Sequence, residues 1–296
     1  MRVLVTGASG FLGSVACAQL NAAGHDVHAL VRRPGSAPPG TIPATADLTD
    51  SAALATAVAA AAPDAVLHLA AEIATQRDEA RIRAVNVDGT RALLEACAAS
   101  GSPKVVFTST VVTGDAHGEL LTEDNPLPVT TPYGHAKQEG EALLAKSGLP
   151  WVVLRPSHVY GPGGWYIDDL VARLRQPGRL CVIGNGKNLW DVVHVDDVAA
   201  ACVLAIEKAP SGSLFHCVDD TPISFYDFMA LTAEQLGLGK PRRVPAALAR
   251  LAAGKHAVTA VVRSARSSNA KLKRELGWEP RYPSAREGIP AALSGV

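Results

Sequence analysis

The apolar positions of this 296-residue chain follow two rhythms. Short runs at 3–5, 27–31, 65–69, 104–108 and 151–154 are apolar almost throughout, the pattern of strands buried on both faces. A weaker run at 41–46 reads as one more short strand. Between the runs lie longer stretches with helical spacing. The stretch 11–23 is closed by Gly24, and the stretch to Ala61 is capped by Thr49 or Asp50 and ended by Pro63. The stretches 78–99 and 132–146 end at Gly101 and Gly148. Strand and helix alternate, which predicts an α/β fold: a doubly wound parallel sheet covered on both faces and joined by right-handed crossovers.

After Arg155 the alternation degrades. Gly161, Pro162, Gly163 and Gly164 mark a loop. Short strands are predicted at 180–183, 192–195 and 213–218, and helices at 196–207, 225–236, 245–253 and 269–276. Asp196 or Asp197 reads as the N-cap of the first of these helices. The reading is a dinucleotide-binding domain over 1–156 and a smaller, mainly substrate-binding α/β lobe over 157–296. That lobe is expected to return one or two elements to the main sheet.

Composition narrows the function. Lys+Arg 28 balances Asp+Glu 28, so the chain lacks the basic excess of a nucleic-acid or anionic-membrane binder. Five scattered cysteines without a CxxC pair argue against a disulfide framework or a structural zinc, and no metal site is expected. The start Val3-Leu4-Val5-Thr6-Gly7 meets glycine too early for a signal peptide, and no apolar run reaches the ~18 residues of a spanning helix. A cytoplasmic protein acting on a small molecule is expected.

Two motifs carry chemistry. Gly7, Gly10 and Gly13 lie between the first strand and the first helix. There they permit a tight turn and close approach of backbone N–H groups to a pyrophosphate at the helix N-terminus. The second strand ends in Arg32-Arg33 rather than the carboxylate that usually holds an NAD ribose. Two guanidiniums match a 2′-phosphate, so NADP(H) is preferred over NAD(H). Asp47 is a candidate acceptor for the adenine amino group. The second motif is Tyr133 and Lys137, four residues apart on one helix face. An ammonium one turn away is expected to lower the phenol pKa and fit it for proton transfer to a carbonyl or alcohol. Thr108-Ser109-Thr110, His68 and the glycine loop end strands at the same edge of the sheet, where ligands bind in such folds.

These stretches, with Asn86-Val87-Asp88-Gly89-Thr90, the run Leu154 to Pro162, His194-Val195-Asp196-Asp197-Val198-Ala199 and Leu276-Gly277-Trp278, resemble an extended short-chain dehydrogenase/reductase of the NAD-dependent epimerase/dehydratase group. The resemblance implies a Rossmann fold and an NAD(P)-dependent oxidoreductase. By position it assigns Tyr133 as proton donor or acceptor and Lys137 as holder of the nicotinamide ribose. Thr110 takes the substrate oxygen, with Ser109 as second choice because the register is uncertain by one residue. Cofactor contacts map onto Gly7, Gly10, Phe11, Leu12, Gly13, Asp47, Leu48, Leu69, Ala70, Ala71, Asn86, Tyr133, Lys137, Pro156, Ser157, His158 and Val159. Asn86 reads equally as a structural residue. Relatives usually form homodimers through the helices near Asp78 and Tyr133.

The resemblance leaves three activities open. One is a ketone reductase or alcohol dehydrogenase; a second is a nucleotide-sugar epimerase or dehydratase holding NAD tightly; a third is a non-catalytic NADP-sensing protein. Arg32-Arg33 favours the first. So does His158, which stands where nucleotide-sugar enzymes commonly carry Asn, and Val111, which follows Thr110 where a dehydratase carries an acid. Tyr133 and Lys137 together argue against the third. His117, His158, Trp165 and Tyr166 are candidates for the substrate pocket.

Overall fold

The computed structural model describes residues 1–73, 75–176, 178, 180–253 and 261–295. Seven strands form one parallel sheet: β1 (Arg2–Thr6), β2 (Asp26–Val31), β3 (Ile42–Thr45), β4 (Ala65–His68), β5 (Lys104–Thr108), β6 (Trp151–Pro156) and β7 (Ser213–Cys217). Their order across the sheet is β7-β6-β5-β4-β1-β2-β3. The chain thus starts in the sheet's interior, winds out through β2 and β3, then crosses β1 to wind out on the other side. All the carboxyl ends lie at one edge, and the reversal next to β1 opens a crevice there.

Alternation along the strands fills both faces. Val3 and Val5 of β1 pack with Ala16, Cys17 and Leu20 of α1 (Phe11–Ala22). Leu4 points to the other face, among side chains of α2 (Ser51–Ala61), α4 (Gly89–Ala99) and α5 (Pro132–Lys146). Beside α1 lies α6 (Val195–Glu207), whose Val198, Ala201 and Cys202 join the first cluster. Strand β7 and helix α6 both come from the second half of the chain. The strand joins the seven-stranded sheet, and the helix packs in its first core cluster.

The helix expected over 78–99 is interrupted. Asp78 caps α3 (Glu79–Arg83), a π-turn spans Ala84–Asp88, and α4 follows. The wider turn inserts extra backbone, a feature that often marks a functional position. Its centre is Asn86. The smaller lobe has its own core, with Tyr160, Tyr166, Trp190, Phe225, Phe228 and Ile289 buried together. Here α7 (Phe225–Gln235) packs against α10 (Ala285–Ala292). Helices α8 (Ala246–Ala253) and α9 (Ala270–Leu276) lie between them in sequence. Short two-stranded pairs, His158–Tyr160 with Val192–His194 and Cys181–Ile183 with Arg242–Val244, tie the lobe together. Among the described residues no helix is long and apolar enough to cross a membrane.

Candidate active site

The glycine loop is as tight as its sequence requires. Gly7 has φ +69, and a Cβ there would stand 2.8 Å from the Ala70 backbone nitrogen. A Cβ on Gly13 would collide with the Gly7 carbonyl oxygen. A larger residue at Gly7 would push the loop off the backbone that follows β4, and one at Gly13 would push α1 off the loop. Gly10 is the N-cap of α1 and offers no side-chain cap, so the first-turn N–H groups face the crevice with their partial positive charge. Phe11 lies against Gly163 and Gly164 of the loop after β6. These features fit a dinucleotide pyrophosphate.

Further along the same edge, Arg32 and Arg33 follow β2, exposed and without an ion pair among the described residues. Asp47 accepts from the Thr49 amide at 2.9 Å and from its hydroxyl at 2.7 Å, through one oxygen. These bonds hold its pKa below the usual carboxylate value, and its other oxygen makes no hydrogen bond among the described residues. Leu48 is buried against Gly89, where a Cβ would come within 2.9 Å of the leucine. Leu69, Ala70 and Ala71 leave β4 half-buried.

Asn86 commits its amide to protein. Its Oδ1 accepts from the Glu72 N–H and its Nδ2 donates to the Glu72 carbonyl, both at 2.8 Å. The π-turn thus clamps the segment after Ala71, and of the two readings of Asn86 the structural one matches this geometry.

Beneath the crevice runs a closed relay. The Ala70 N–H donates to Thr6 Oγ1, which donates to His68 Nδ1. His68 Nε2 donates to Thr90 Oγ1, which donates to the Asn86 carbonyl. Every donor has an acceptor only if His68 is neutral with its proton on Nε2. Burial, aided by the nearby Lys137 charge, pushes its pKa down to about 3.

Thr131 caps α5 by accepting from the Gly134 N–H, with Pro132 at its first position. Gly140 lets the helix settle on Phe107 of β5; a Cβ there would stand 2.8 Å from the ring. The Lys137 ammonium lies 4.6 Å from the centroid of the same ring. It is buried, has no carboxylate within ion-pair distance among the described residues, and its pKa is pushed down to about 8 by burial. Tyr133 is half-buried, and its hydroxyl makes no hydrogen bond among the described residues. Burial raises its pKa to about 12, the opposite direction from that expected of an ammonium neighbour. Desolvation of the phenol sets the direction.

The two hydroxyls after β5 differ. Thr110 Oγ1 donates to the Pro156 carbonyl at 3.2 Å and accepts from the Val112 N–H at 2.9 Å, closing the turn. The Ser109 side chain makes no hydrogen bond among the described residues, although its N–H is fixed on the Leu154 carbonyl.

In the run 156–159, Pro156 ends β6, Val159 accepts at its carbonyl from Trp165 Nε1, and the buried Ser157 hydroxyl has no partner among the described residues. His158 lines a cleft with Val111, Val112, Leu189, Trp190 and Arg263. The other three candidate pocket residues lie elsewhere. Tyr166 is fully buried in the lobe core, with its hydroxyl on Thr232. Trp165 packs edge-on against Tyr166. His117 is exposed on a surface turn at φ +54, its ring 3.6 Å from Asp115. Conversely, Trp190, Asp191 and Arg263 are not among the candidates read from the sequence. Their meeting with His158 is tertiary and has no local signal.

The comparisons agree on one family. A profile described as "NAD dependent epimerase/dehydratase family" matches residues 3–217. A 3-diazoavenalumate denitrifying reductase of Streptomyces is 35% identical over 98% of this chain and 99% of its own length. A 2-alkyl-3-oxoalkanoate reductase of Stenotrophomonas maltophilia is 33% identical over 72% of this chain and 67% of its own. The crystal structure of the Thermus thermophilus UDP-glucose 4-epimerase in complex with NAD superposes with TM-score 0.83 at 28% identity, over 99% of this chain and 98% of that one.

Proposed function

The chain belongs to the NAD dependent epimerase/dehydratase family and is an NAD(P)-dependent oxidoreductase, and we propose that within it this protein is an NADP(H)-dependent ketone reductase. One observation carries the reading: a buried Lys137 ammonium at the carboxyl end of β5, one helical turn from a Tyr133 hydroxyl, the first without an ion pair and the second without a hydrogen bond among the described residues. A bound nicotinamide supplies the hydride. Lys137 holds the ribose hydroxyls and keeps positive charge beside the reacting carbonyl. With its pKa at about 12, Tyr133 carries its proton at neutral pH, the state needed to protonate a carbonyl oxygen during reduction. Ser109 is the hydroxyl that donates to that oxygen. Thr110, favoured by position alone, would have to surrender Pro156 to do so. Arg32 and Arg33 receive the 2′-phosphate that distinguishes NADP(H).

Two observations support reduction over nucleotide-sugar chemistry. His158 has both ring nitrogens engaged, Nδ1 on the Asp191 carbonyl and Nε2 on Arg263, so it cannot take over the phosphate-holding task of an Asn. Val111, adjoining Thr110, provides no acid for dehydration. The test is NADPH oxidation with a panel of ketones, alongside UDP- and dTDP-sugars without added cofactor. Sugar turnover with no ketone reduction would replace this reading by the epimerase one. Tyr133→Phe is expected to abolish reduction and leave dinucleotide affinity within about twofold.

A further inference from the structure

Tyr133, Lys137 and Glu141 follow one another on α5 at spacings of four, along a single face of the helix. A carboxylate four residues from a lysine is within its reach, and in a buried setting the two are expected to close into an ion pair. They do not. Lys137 is buried and makes no ion pair among the described residues. Glu141 is turned to β6 instead. Its Oε1 accepts from Arg155 Nε and its Oε2 from Arg155 Nη2. Both oxygens are taken, and the pair is nearly shut off from water. A planar guanidinium with two parallel donors fixes a carboxylate in one orientation, a grip that an ammonium cannot match.

The groups around Lys137 show why this choice matters. Its own helix presents Tyr133, which keeps its proton at neutral pH, and Glu141. From β4 comes His68, held neutral, and from β5 the Phe107 ring. Behind Glu141 stands Arg155. Its partner in register on β7 is His216, fully buried and with its pKa pushed down to about 3. The Glu123 carboxylate accepts from the His216 N–H. Among the described residues Glu141 is the carboxylate whose charge acts on the ammonium, opposing the larger effect of burial. Clamped by Arg155, it supplies a field without a contact. The field keeps Lys137 charged, and the three ammonium donors are not spent on it. A direct ion pair would spend them and hold the ammonium back along α5.

We propose that Arg155 is a positioning residue of the active site: by taking both oxygens of Glu141 it bars that carboxylate from the Lys137 ammonium and leaves the ammonium donors to the nicotinamide ribose. The inference rests on the role that the reductase reading gives Lys137. It adds two residues, set back from the crevice, that touch neither cofactor nor substrate. A salt bridge serving stability alone treats its two ends alike, since losing either one strands a buried charge. The positioning role separates them. Arg155→Met releases Glu141 to close on Lys137, whereas Glu141→Gln removes the anion altogether.

The test titrates Lys137 itself by NMR, in cofactor-free protein isotopically labelled at the lysine ε-carbons. The Lys137 signal is the one missing from Lys137→Met. Its midpoint is expected at about 8 in the native chain. It should rise by about one pH unit or more in Arg155→Met and fall in Glu141→Gln. Arg155→Lys, which keeps a cation on the carboxylate, should stay nearer the native value than Arg155→Met. If a single variant does not fold, Arg155→Met combined with Glu141→Met leaves no stranded charge, and its midpoint should lie below the native one. Calorimetry with NADP+ gives a second reading: Arg155→Met should weaken binding about 10-fold. Midpoints that move the same way in Arg155→Met and Glu141→Gln, an unmoved midpoint in Arg155→Met or in the double variant, or unchanged NADP+ affinity in Arg155→Met each overturns the inference. Midpoints that split as expected in a protein that reduces no ketone overturn the reductase reading alone. Ketone reduction with midpoints that do not split overturns the inference alone.

Discussion

The Lys137 ammonium faces the Phe107 ring at 4.6 Å, and Gly140 brings the helix down onto the same ring. A charge placed over a π-face and otherwise desolvated is costly. Its pKa falls from 10.5 to about 8. A lysine lowered in this way binds fewer protons folded than unfolded. Its unfavourable effect on stability is therefore absent above pH 10.5 and complete below about pH 8. At neutral pH Lys137→Met should stabilise the fold, by on the order of 1–3 kcal/mol, while nearly abolishing turnover. Thermal melts at pH 7 and pH 10 check the sign: the gain should shrink at the higher pH.

The proposed mechanism makes the same group set the pH profile: if reduction needs Lys137 charged, kcat/KM should fall as pH rises through about 8. Lys137→Arg should move that limb upward by at least a pH unit. A limb that stays in place assigns the titration to another group.

Ser109 and Thr110 separate by their hydrogen bonds. Ser109→Ala should lower kcat about 100-fold with little change in melting temperature, because its hydroxyl makes no hydrogen bond among the described residues. Thr110→Val loses the bonds to Pro156 and Val112, and should cost roughly 1–3 kcal/mol of stability. The reverse pattern would return the carbonyl-polarising role to Thr110.

Arg32→Ala combined with Arg33→Ala should raise the Michaelis constant for NADPH roughly 10- to 100-fold more than that for NADH. Steady-state kinetics with both cofactors decides it. Equal effects would remove the 2′-phosphate argument.

Away from the crevice, Arg155 and Glu141 form a two-pronged pair at 2.9 and 2.6 Å, with side chains only 10% and 13% exposed. Glu141→Gln leaves a buried guanidinium uncompensated. Urea denaturation should show a loss of about 3–5 kcal/mol. Replacing both by apolar residues should recover much of it.

The main sheet is readable from sequence because its strands are buried on both faces and carry continuous apolar runs, and because glycines and prolines punctuate the helices between them. The glycine loop and the pair Tyr133–Lys137 are readable because each is local, a few residues on one turn. What escapes depends on distant partners. The π-turn at Asn86 has no local breaker; it forms where the side chain reaches back to Glu72. Asp196 and Asp197 both read as caps for α6, yet the cap is the His194 ring, accepting from the Asp196 N–H. Asp197 instead takes the amides of Arg281 and Tyr282. Tyr166 reads as a pocket aromatic and is core, since aromatic side chains serve both ends and only packing distinguishes them. Arg263 lies 105 residues from the histidine it orients against.

Strand β7, paired along β6 from Ser213↔Val152 to Cys217↔Pro156, has a consequence for how the molecule is made. Until residue 217 has been synthesised, β6 presents a bare row of amides and carbonyls, and the face that α6 will cover stays wet. Residues 1–156 are therefore not expected to mature as an early, autonomous unit during translation. A chain cut after Pro156 should be sticky rather than merely inactive, and co-expressing the missing piece should rescue its solubility.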